Sequence, residues 1–542
     1  MAEQTKTQNS FVKQAAILAA ASILVRFLGF VYRVPLTNMI GDEGNAIYSA
    51  GYYIYTFLLI LSSAGLPAAI SKLVAERVAL KEYHNAHRVF RCALWIAGSL
   101  GLFCSLLFLL FSEQIANFAN TPEAATAILT LSPTLFIVAV MSVFRGYFQG
   151  MHMMVPTAIS QIVEQVFNAV FSVYMAFIFL RIGVPEGEKN IAMGAAGGTM
   201  GTGIGAFVGL CTIGIFYFWI RPVFAKNIDK CYGLYEESYR DVAKILMMTA
   251  LPIIAGTAVF SITNLVDMNM VTKLLEKSGY SHTTALELYG QLSGKYVTLT
   301  TLPISISTVL ATAVIPSIAA SMKLKNIPVV HHKIRLTFRI SMILSFPSAV
   351  GIGILGDPIL HMLFPLSPEG GSLLVVGSVS ILFLALCQTA TGILQGIGHL
   401  KIPVMAAVCG AFTKIILNYL LIPIESLNIL GAIWSTTGCY LVASLINMVM
   451  LSRITGVKID VVGTFVKPLL GSAFMGVTTF ALYKVLYTSL ENVTVCTMIA
   501  ILFAVIVYGL TMLAIGGLTK EDILSMPKGK KIVSILTKFH LI

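Results

Sequence analysis

Residues 15–40 read AAILAAASILVRFLGFVYRVPLTNMI. The run is apolar, and it is long enough to cross a bilayer as one helix, since about 20 residues rising 1.5 Å each cover the hydrocarbon core. It nevertheless holds Arg26 and Arg33. An arginine at the middle of a membrane helix costs about 3 kcal/mol on the lenient insertion scale, and is kept where it faces a wet cavity or a partner. The pair is spaced at two helical turns, so one face carries both guanidinium groups. Gly29 lies on nearly the same face and leaves room beside them.

The rest of the chain repeats the apolar pattern. Of its 542 residues, 57% are hydrophobic and 11% charged, with a mean hydropathy of +0.86. A soluble chain of this length needs far more polar surface, so the fold class is an all-α polytopic membrane protein. Fourteen spans are expected, at about 12–40, 46–75, 90–111, 124–149, 156–180, 194–220, 244–270, 286–320, 338–365, 372–397, 402–424, 428–452, 464–488 and 494–517. No cleavable signal peptide is expected, because the polar opening MAEQTKTQNSFVKQ leads into a helix too long for a signal sequence.

Lys and Arg orient these spans. Alternate loops carry Arg77, Lys81 and Arg88; Arg221, Lys226, Lys230 and Arg240; Lys323, Lys325, Lys333 and Arg335; Lys401; and Arg453 and Lys458, with a basic tail beyond Lys520. The excess of +12 is thus positive-inside charge rather than a nucleic-acid surface, and both termini are expected in the cytoplasm. The cysteines lie mostly in apolar segments without CxxC or Cys/His spacing, so neither disulfides nor a metal site is expected.

Echoes across the chain suggest a duplication. YFQGMHMMVPTAISQ (147–161) is echoed by ILQGIGHLKIPVMAA (393–407), and LPAAISKLV (66–74) by IPSIAASMK (315–323). A fainter pairing lays FLGFVYR on SITNLVD, setting Arg33 against Asp267. The domains read as a first six-helix lobe (1–220), a charged cytoplasmic linker (221–243), a second six-helix lobe (244–453), and two C-terminal helices with a basic tail (454–542). Six spans per lobe give both halves one direction, hence a pseudo-two-fold axis along the membrane normal and a chain able to alternate access to a central cavity.

Other spans add ionisable groups: Glu164 in SQIVEQVFN, Asp267 late in the seventh span, Lys295 in LSGKYV and Lys414 in AFTKIILN. Four cations against two anions leave the expected cavity positive, so an anionic substrate is its complement, and the planar fork of arginine suits phosphate. Asp267 and Lys414 read as a neutral pair holding the second half together, or as a coupling site. Arg33 and Asp267, near their span ends, also have the option of reaching the membrane interface. No GxxxxGK[ST], HExxH or GxSxG occurs, so no ATPase and no enzyme is expected; no cofactor is called for, and the drive is the membrane potential, an ion gradient or a partner. The glycine-rich MGAAGGTMGTGIG (193–205) opens an apolar helix, where close helix packing is the expected use.

The segment FRGYFQGMHMMVPTAISQIVEQVFN (144–168), supported by RFLGFVYR and GLPAAISKLVAE (65–76), resembles the stage V sporulation protein B-like and MurJ-type branch of the multidrug/oligosaccharidyl-lipid/polysaccharide exporter superfamily. The resemblance covers essentially the whole chain. It implies a flippase in the bacterial plasma membrane that carries a polyprenyl-pyrophosphate-linked cell-wall precursor, lipid II, from the inner to the outer leaflet. It also implies a monomer among membrane lipids, working beside the cell-wall synthesis machinery, with the two extra helices grooved for the lipid tail. Arg26 matches a cavity arginine in the family's R-x-L-G-F pattern. Tyr32 and Arg33 depart from the Gram-negative relatives, which have an arginine and then an acidic residue there. Another polyprenyl-linked oligosaccharide as cargo, or drug and cation antiport, are the alternatives.

Overall fold

The first two expected spans are one folded-back element. In this computed structural model, which describes residues 2–185, 187–229, 236–305, 318, 321–322, 326–518 and 533, helix α1 (Ala2–Leu59) is broken at Gly41, where φ is 71° and ψ is −172°. Thr37 Oγ1 donates to Asn45 Oδ1 across the break, at 3.2 Å. In an unbroken helix these residues would stand about 12 Å apart along the axis. The chain therefore doubles back at Gly41, whose left-handed φ suits the one residue without a Cβ.

The chain divides into two compact units, Met1–Gly294 and Lys295–Ile542. The first holds α1, α2 (Leu66–Ala79), α3 (Tyr83–Leu110), α4 (Ser112–Phe118), α5 (Ala125–Gly150), α6 (Met154–Phe179), α7 (Ile191–Asp229), α8 (Tyr239–Lys277) and α9 (His282–Gly290). A π-turn at Ile60–Ala64 joins α1 to α2. Helix α8, expected from sequence to open the second lobe, packs within this unit. Its Val242, Leu246, Ala250 and Ile254 share one apolar core with Leu66, Ile70, Phe90 and Tyr147. The segment before α8 is clamped by charge: Glu237 accepts from Arg77 Nε and Nη2 at 3.0 and 2.5 Å, and Glu236 accepts from Arg88.

Helices α6 and α7 meet along the glycine-rich stretch. A Cβ on Gly197 would lie 2.5 Å from Met175 O, one on Gly201 2.2 Å from Ser172 N, and one on Gly205 2.6 Å from Glu164 O. Glycines every fourth residue thus let two backbones touch, as small residues do in membrane helix pairs. Serines of α6 fill the remaining polar needs, Ser172 Oγ donating to Gly198 O at 2.8 Å and Ser160 Oγ to Gly209 O at 3.1 Å.

The second unit contains α10 (297–305), α11 (Ile327–Leu363), α12 (Gly371–Gly377), α13 (Ser380–Gly396), α14 (Lys401–Leu421), α15 (Ile429–Thr455), α16 (Lys467–Leu490) and α17 (Val493–Ala514). Ile334, Phe338, Met342, Ala390, Leu394 and Leu451 centre its core. The C-terminal pair α16–α17 seats on α11, where Tyr508 donates to Ile343 O at 2.7 Å and Met475 and Met512 pack beside it. Phe474, Val477, Leu502 and Val505 on the pair are exposed, as residues facing acyl chains are.

The protein is thus an all-helical, multi-span membrane protein, with no strand among the described residues. Among the described residues, ten helices are long and apolar enough to cross a membrane, or eleven when α12 and α13, bent by 51°, count as one span. Fourteen were expected. One of the ten, Ala20–Ala79, contains the Gly41 break and so covers two expected spans. The expected spans at 244–270 and 286–320 are outside that count, and much of 306–325 is outside the described residues.

Candidate functional site

The hairpin tip at Gly41 fixes the depth of both arginines. At 1.5 Å per residue, Arg33 lies about 12 Å along the helix from the tip and Arg26 about 22 Å, both within the length of a helix that spans a core about 30 Å thick. Arg33 does not reach for the interface. Its guanidinium carbon sits 4.3 Å from the centre of the Tyr48 ring and 5.6 Å from that of Tyr52, both on the returning arm. The two rings are stacked with centroids 5.7 Å apart. Cation–π contact uses the faces of the two tyrosine rings, and the Arg33 guanidinium has no hydrogen-bond or ion-pair partner among the described residues. Arg26 is the more exposed of the two and has no hydrogen-bond or ion-pair partner among the described residues. Between them, Gly29 leaves a gap facing Gln165 of α6, whose Nε2 would be 3.5 Å from an added Cβ. The arginine stripe therefore looks at α6 next to Glu164.

Glu164 has its own partner. Arg145 of α5 donates through Nη2 to Glu164 Oε2 at 2.6 Å and to Ser160 Oγ at 2.8 Å. The two side chains are 14% and 26% exposed. A tight turn joins α5 to α6. Arg145 stands five residues before the end of α5 and Ser160 six after the start of α6, so they share one depth. The glycine seam holds the other side of Glu164, since a Cβ on Gly209 would approach its Cβ to 3.0 Å. Tyr52 lies within electrostatic range of both Arg33 and Glu164. The stripe, the tyrosines and the Arg145–Glu164 pair thus form one neighbourhood inside the first unit.

The remaining expected site residues fall elsewhere. Asp267, on α8 of the first unit, lies within electrostatic range of Tyr53 and Tyr289. Lys414 is buried on α14 of the second unit, 2% exposed, one turn from Asn418, which accepts from Ser435 of α15. Lys295 is 1% exposed. Its ammonium donates to Ser367 O at 2.5 Å, Ser367 Oγ at 2.9 Å and Glu369 O at 3.1 Å. An ammonium has three N–H groups, so Lys295 acts as a cap for the turn after α11. The sequence placed it in the head-group cavity because an isolated lysine in an apolar run gives no sign of a nearby carbonyl turn. Among the described residues, no cluster of three or more His, Cys, Asp or Glu side chains could hold a metal ion.

Residues 11–322, more than half of the chain, match the family model described as polysaccharide biosynthesis protein. The chain belongs to this family. As a family member it is 29% identical to the lipid II flippase MurJ of Bacillus subtilis (strain 168), over 85% of this chain and 86% of the relative. It is 28% identical to the stage V sporulation protein B of the same organism, again over 85% and 86%. A solved structure titled lipid II flippase MurJ, inward closed conformation, superposes with a TM-score of 0.64 at 16% identity, over 92% of this chain and 98% of that one. The branch resemblance carried by FRGYFQG and its neighbours is therefore real, and the chain shares the fold of that structure.

Within this family member, sequence reading missed Arg145, Tyr48 and Tyr52. Arg145 stands inside the quoted FRGYFQG motif, but close enough to the end of its span to pass for an interfacial charge. The signal was depth: counted from the shared turn, Arg145 and Ser160 are level and Glu164 is one turn deeper. The tyrosines of YSAGYYIY (48–55) carry no charge to mark them in an apolar run, and only the hairpin turns Tyr48 and Tyr52 onto Arg33.

Proposed function

We propose that the protein is a flippase that moves a lipid-linked, pyrophosphate-bearing cell-wall precursor, lipid II, from the inner to the outer leaflet of a bacterial plasma membrane by alternating access. The carrying observation is Arg33: its guanidinium lies over two tyrosine rings and has no hydrogen-bond or ion-pair partner among the described residues, so its N–H groups can serve an oxyanion. Arg26 stands two turns away on the same face. Together they can replace water around two phosphates, whose transfer through bare hydrocarbon would be prohibitive. The lipid tail stays in acyl chains while the head group crosses. The name of one Bacillus relative, the lipid II flippase MurJ, supports a lipid-linked cargo.

In this reading both termini face the cytoplasm, the working unit is a monomer beside the cell-wall synthesis machinery, and the membrane potential or an ion gradient supplies the drive. A second cargo, another polyprenyl-linked oligosaccharide, is favoured by one fact: the family model that the chain matches is described as polysaccharide biosynthesis protein. Cation antiport fits poorly, because Arg26, Arg33 and Arg145 outnumber Glu164 and Asp267 inside the first unit.

The test is depletion in a wall-making bacterium, with lipid II of each leaflet measured. Accumulation on the inner side alone is expected, and unchanged leaflet levels would overturn the lipid II assignment.

A further inference from the structure

Arg145 is bonded in an unusual way for an arginine next to a carboxylate. Both of its hydrogen bonds leave from one nitrogen, Nη2. The adjoining Nε–H is buried and has no partner among the described residues. Nε and Nη2 form the edge of the guanidinium that matches an oxyanion at two points, which is the geometry that makes arginine a phosphate residue. Here that edge is half used. A buried donor left unpaired is costly, and a fixed carboxylate that touches only Nη2 does not satisfy it. Two oxygens of one phosphate would.

The surroundings point the same way. Ser160, the second acceptor on Nη2, is itself tied to Gly209 O, so Arg145 keeps an anchor if Glu164 lets go. Glu164 is held through its backbone and Cβ by Gly205 and Gly209, while its side chain is a quarter exposed. The carboxylate also acts on Tyr52, which stacks beside Arg33. Arg145 lies near the end of α5 that charge places at the cytoplasmic side, where a head group enters.

We propose that Arg145 is a third oxyanion-binding residue, held in reserve by Glu164, and that an incoming polyprenyl pyrophosphate displaces the carboxylate from it. Glu164 thereby sets selectivity, because only a ligand with enough anionic oxygens completes the Arg145 fork. The inference rests on the function proposed above.

The test measures equilibrium binding of farnesyl pyrophosphate to the purified full-length protein, with farnesol and inorganic pyrophosphate as separate probes. Glu164→Gln should tighten farnesyl pyrophosphate by about threefold or more, as expected when an internal competitor is removed. Arg145→Ala should weaken it by about tenfold, the size of one lost charge-assisted hydrogen bond. The double variant should bind like Arg145→Ala, with no gain left. If Arg145→Ala does not fold, Arg145→Lys should fall in between and the Glu164→Gln arm still decides. A purely structural ion pair predicts unchanged or weaker binding in Glu164→Gln, and that result would overturn the proposal. Equal tightening toward inorganic pyrophosphate identifies a free-phosphate site and also overturns the lipid assignment. Arg26→Ala separates the two readings: wild-type binding there sinks the proposed function, whereas loss there with no gain in Glu164→Gln sinks only the reserve role of Arg145.

Discussion

Arg33, half-buried, and Lys295, fully buried, are both cations in apolar runs of sequence, and the structure uses them in opposite ways. Lys295 has its three N–H groups pointed at three oxygens of one turn. Arg33 is held by the faces of Tyr48 and Tyr52, which leaves its donors unspent. The difference teaches that burial alone does not mark a binding residue. What matters is whether the protein itself already satisfies the donors.

This contrast can be broken by experiment. The largest effect should come from Lys295→Met, which leaves buried acceptors unsatisfied and should cost about 3 kcal/mol or more of stability. Thermal unfolding in detergent and the amount in membranes would both fall. A Lys295→Met protein with normal stability and no transport would instead make Lys295 a ligand residue. Arg26→Ala should show the reverse pattern: at least about a tenfold loss of lipid II export, one charge-assisted contact, with unfolding temperature unchanged. Arg26→Lys should keep part of the activity, since a point charge replaces a fork. Wild-type export by Arg26→Ala removes the stripe from the mechanism.

A finer cut concerns the tyrosines. Tyr48→Leu removes the ring under Arg33 and should cost about 1–2 kcal/mol, whereas Tyr48→Phe keeps the ring and should cost less than half of that. Equal costs for the two variants would show that the hydroxyl, not the ring face, holds Arg33.

The smallest effect is a dependence on pH at a histidine outside the membrane spans. His282, at the start of α9, bonds Glu276 at 2.5 Å and approaches Glu123 at 3.5 Å. The hydrogen bond to Glu276 is the largest influence on its pKa; burial opposes it, and with the Glu123 and Glu276 charges added the pKa is raised above the usual histidine value. Glu43 of α1 and Glu287 of α9 belong to the same electrostatic cluster. A group raised in the folded state adds stability that is complete below its ordinary pKa and is lost as the pH climbs through the raised one. As the pH climbs above the ordinary histidine value, protection from hydrogen exchange at 120–125 and 276–284, corrected for the intrinsic rate, should therefore fall in the wild type, and His282→Gln should show low protection throughout. Equal pH profiles for the two proteins would remove His282 as the cause.

Much of the fold was open to reading because hydrophobic length and basic loops are local signals. Even the Gly41 boundary showed, as the gap between the expected spans 12–40 and 46–75. The glycine-rich 193–205 segment was legible for the same reason, since small residues every fourth position can only matter to a neighbouring helix. The site was half legible. An arginine in an apolar run announces an unusual environment, which identified Arg26, Arg33 and Glu164 as residues needing an account. It does not say which environment. Carbonyls 72 and 74 residues further along the chain satisfy Lys295, and a residue 19 positions away pairs with Glu164. Those partners are set by tertiary packing, which no window of sequence contains.

The single-residue turn at Gly41 carries one last consequence. With Thr37 pinned to Asn45, the number of residues between Arg33 and Tyr48 works as a phase setting. One residue inserted in either arm would swing the guanidinium about 100° around its helix, away from the rings. Spacing in this hairpin is therefore as strictly constrained as chemistry, and homologues are expected to vary side chains there far more freely than length.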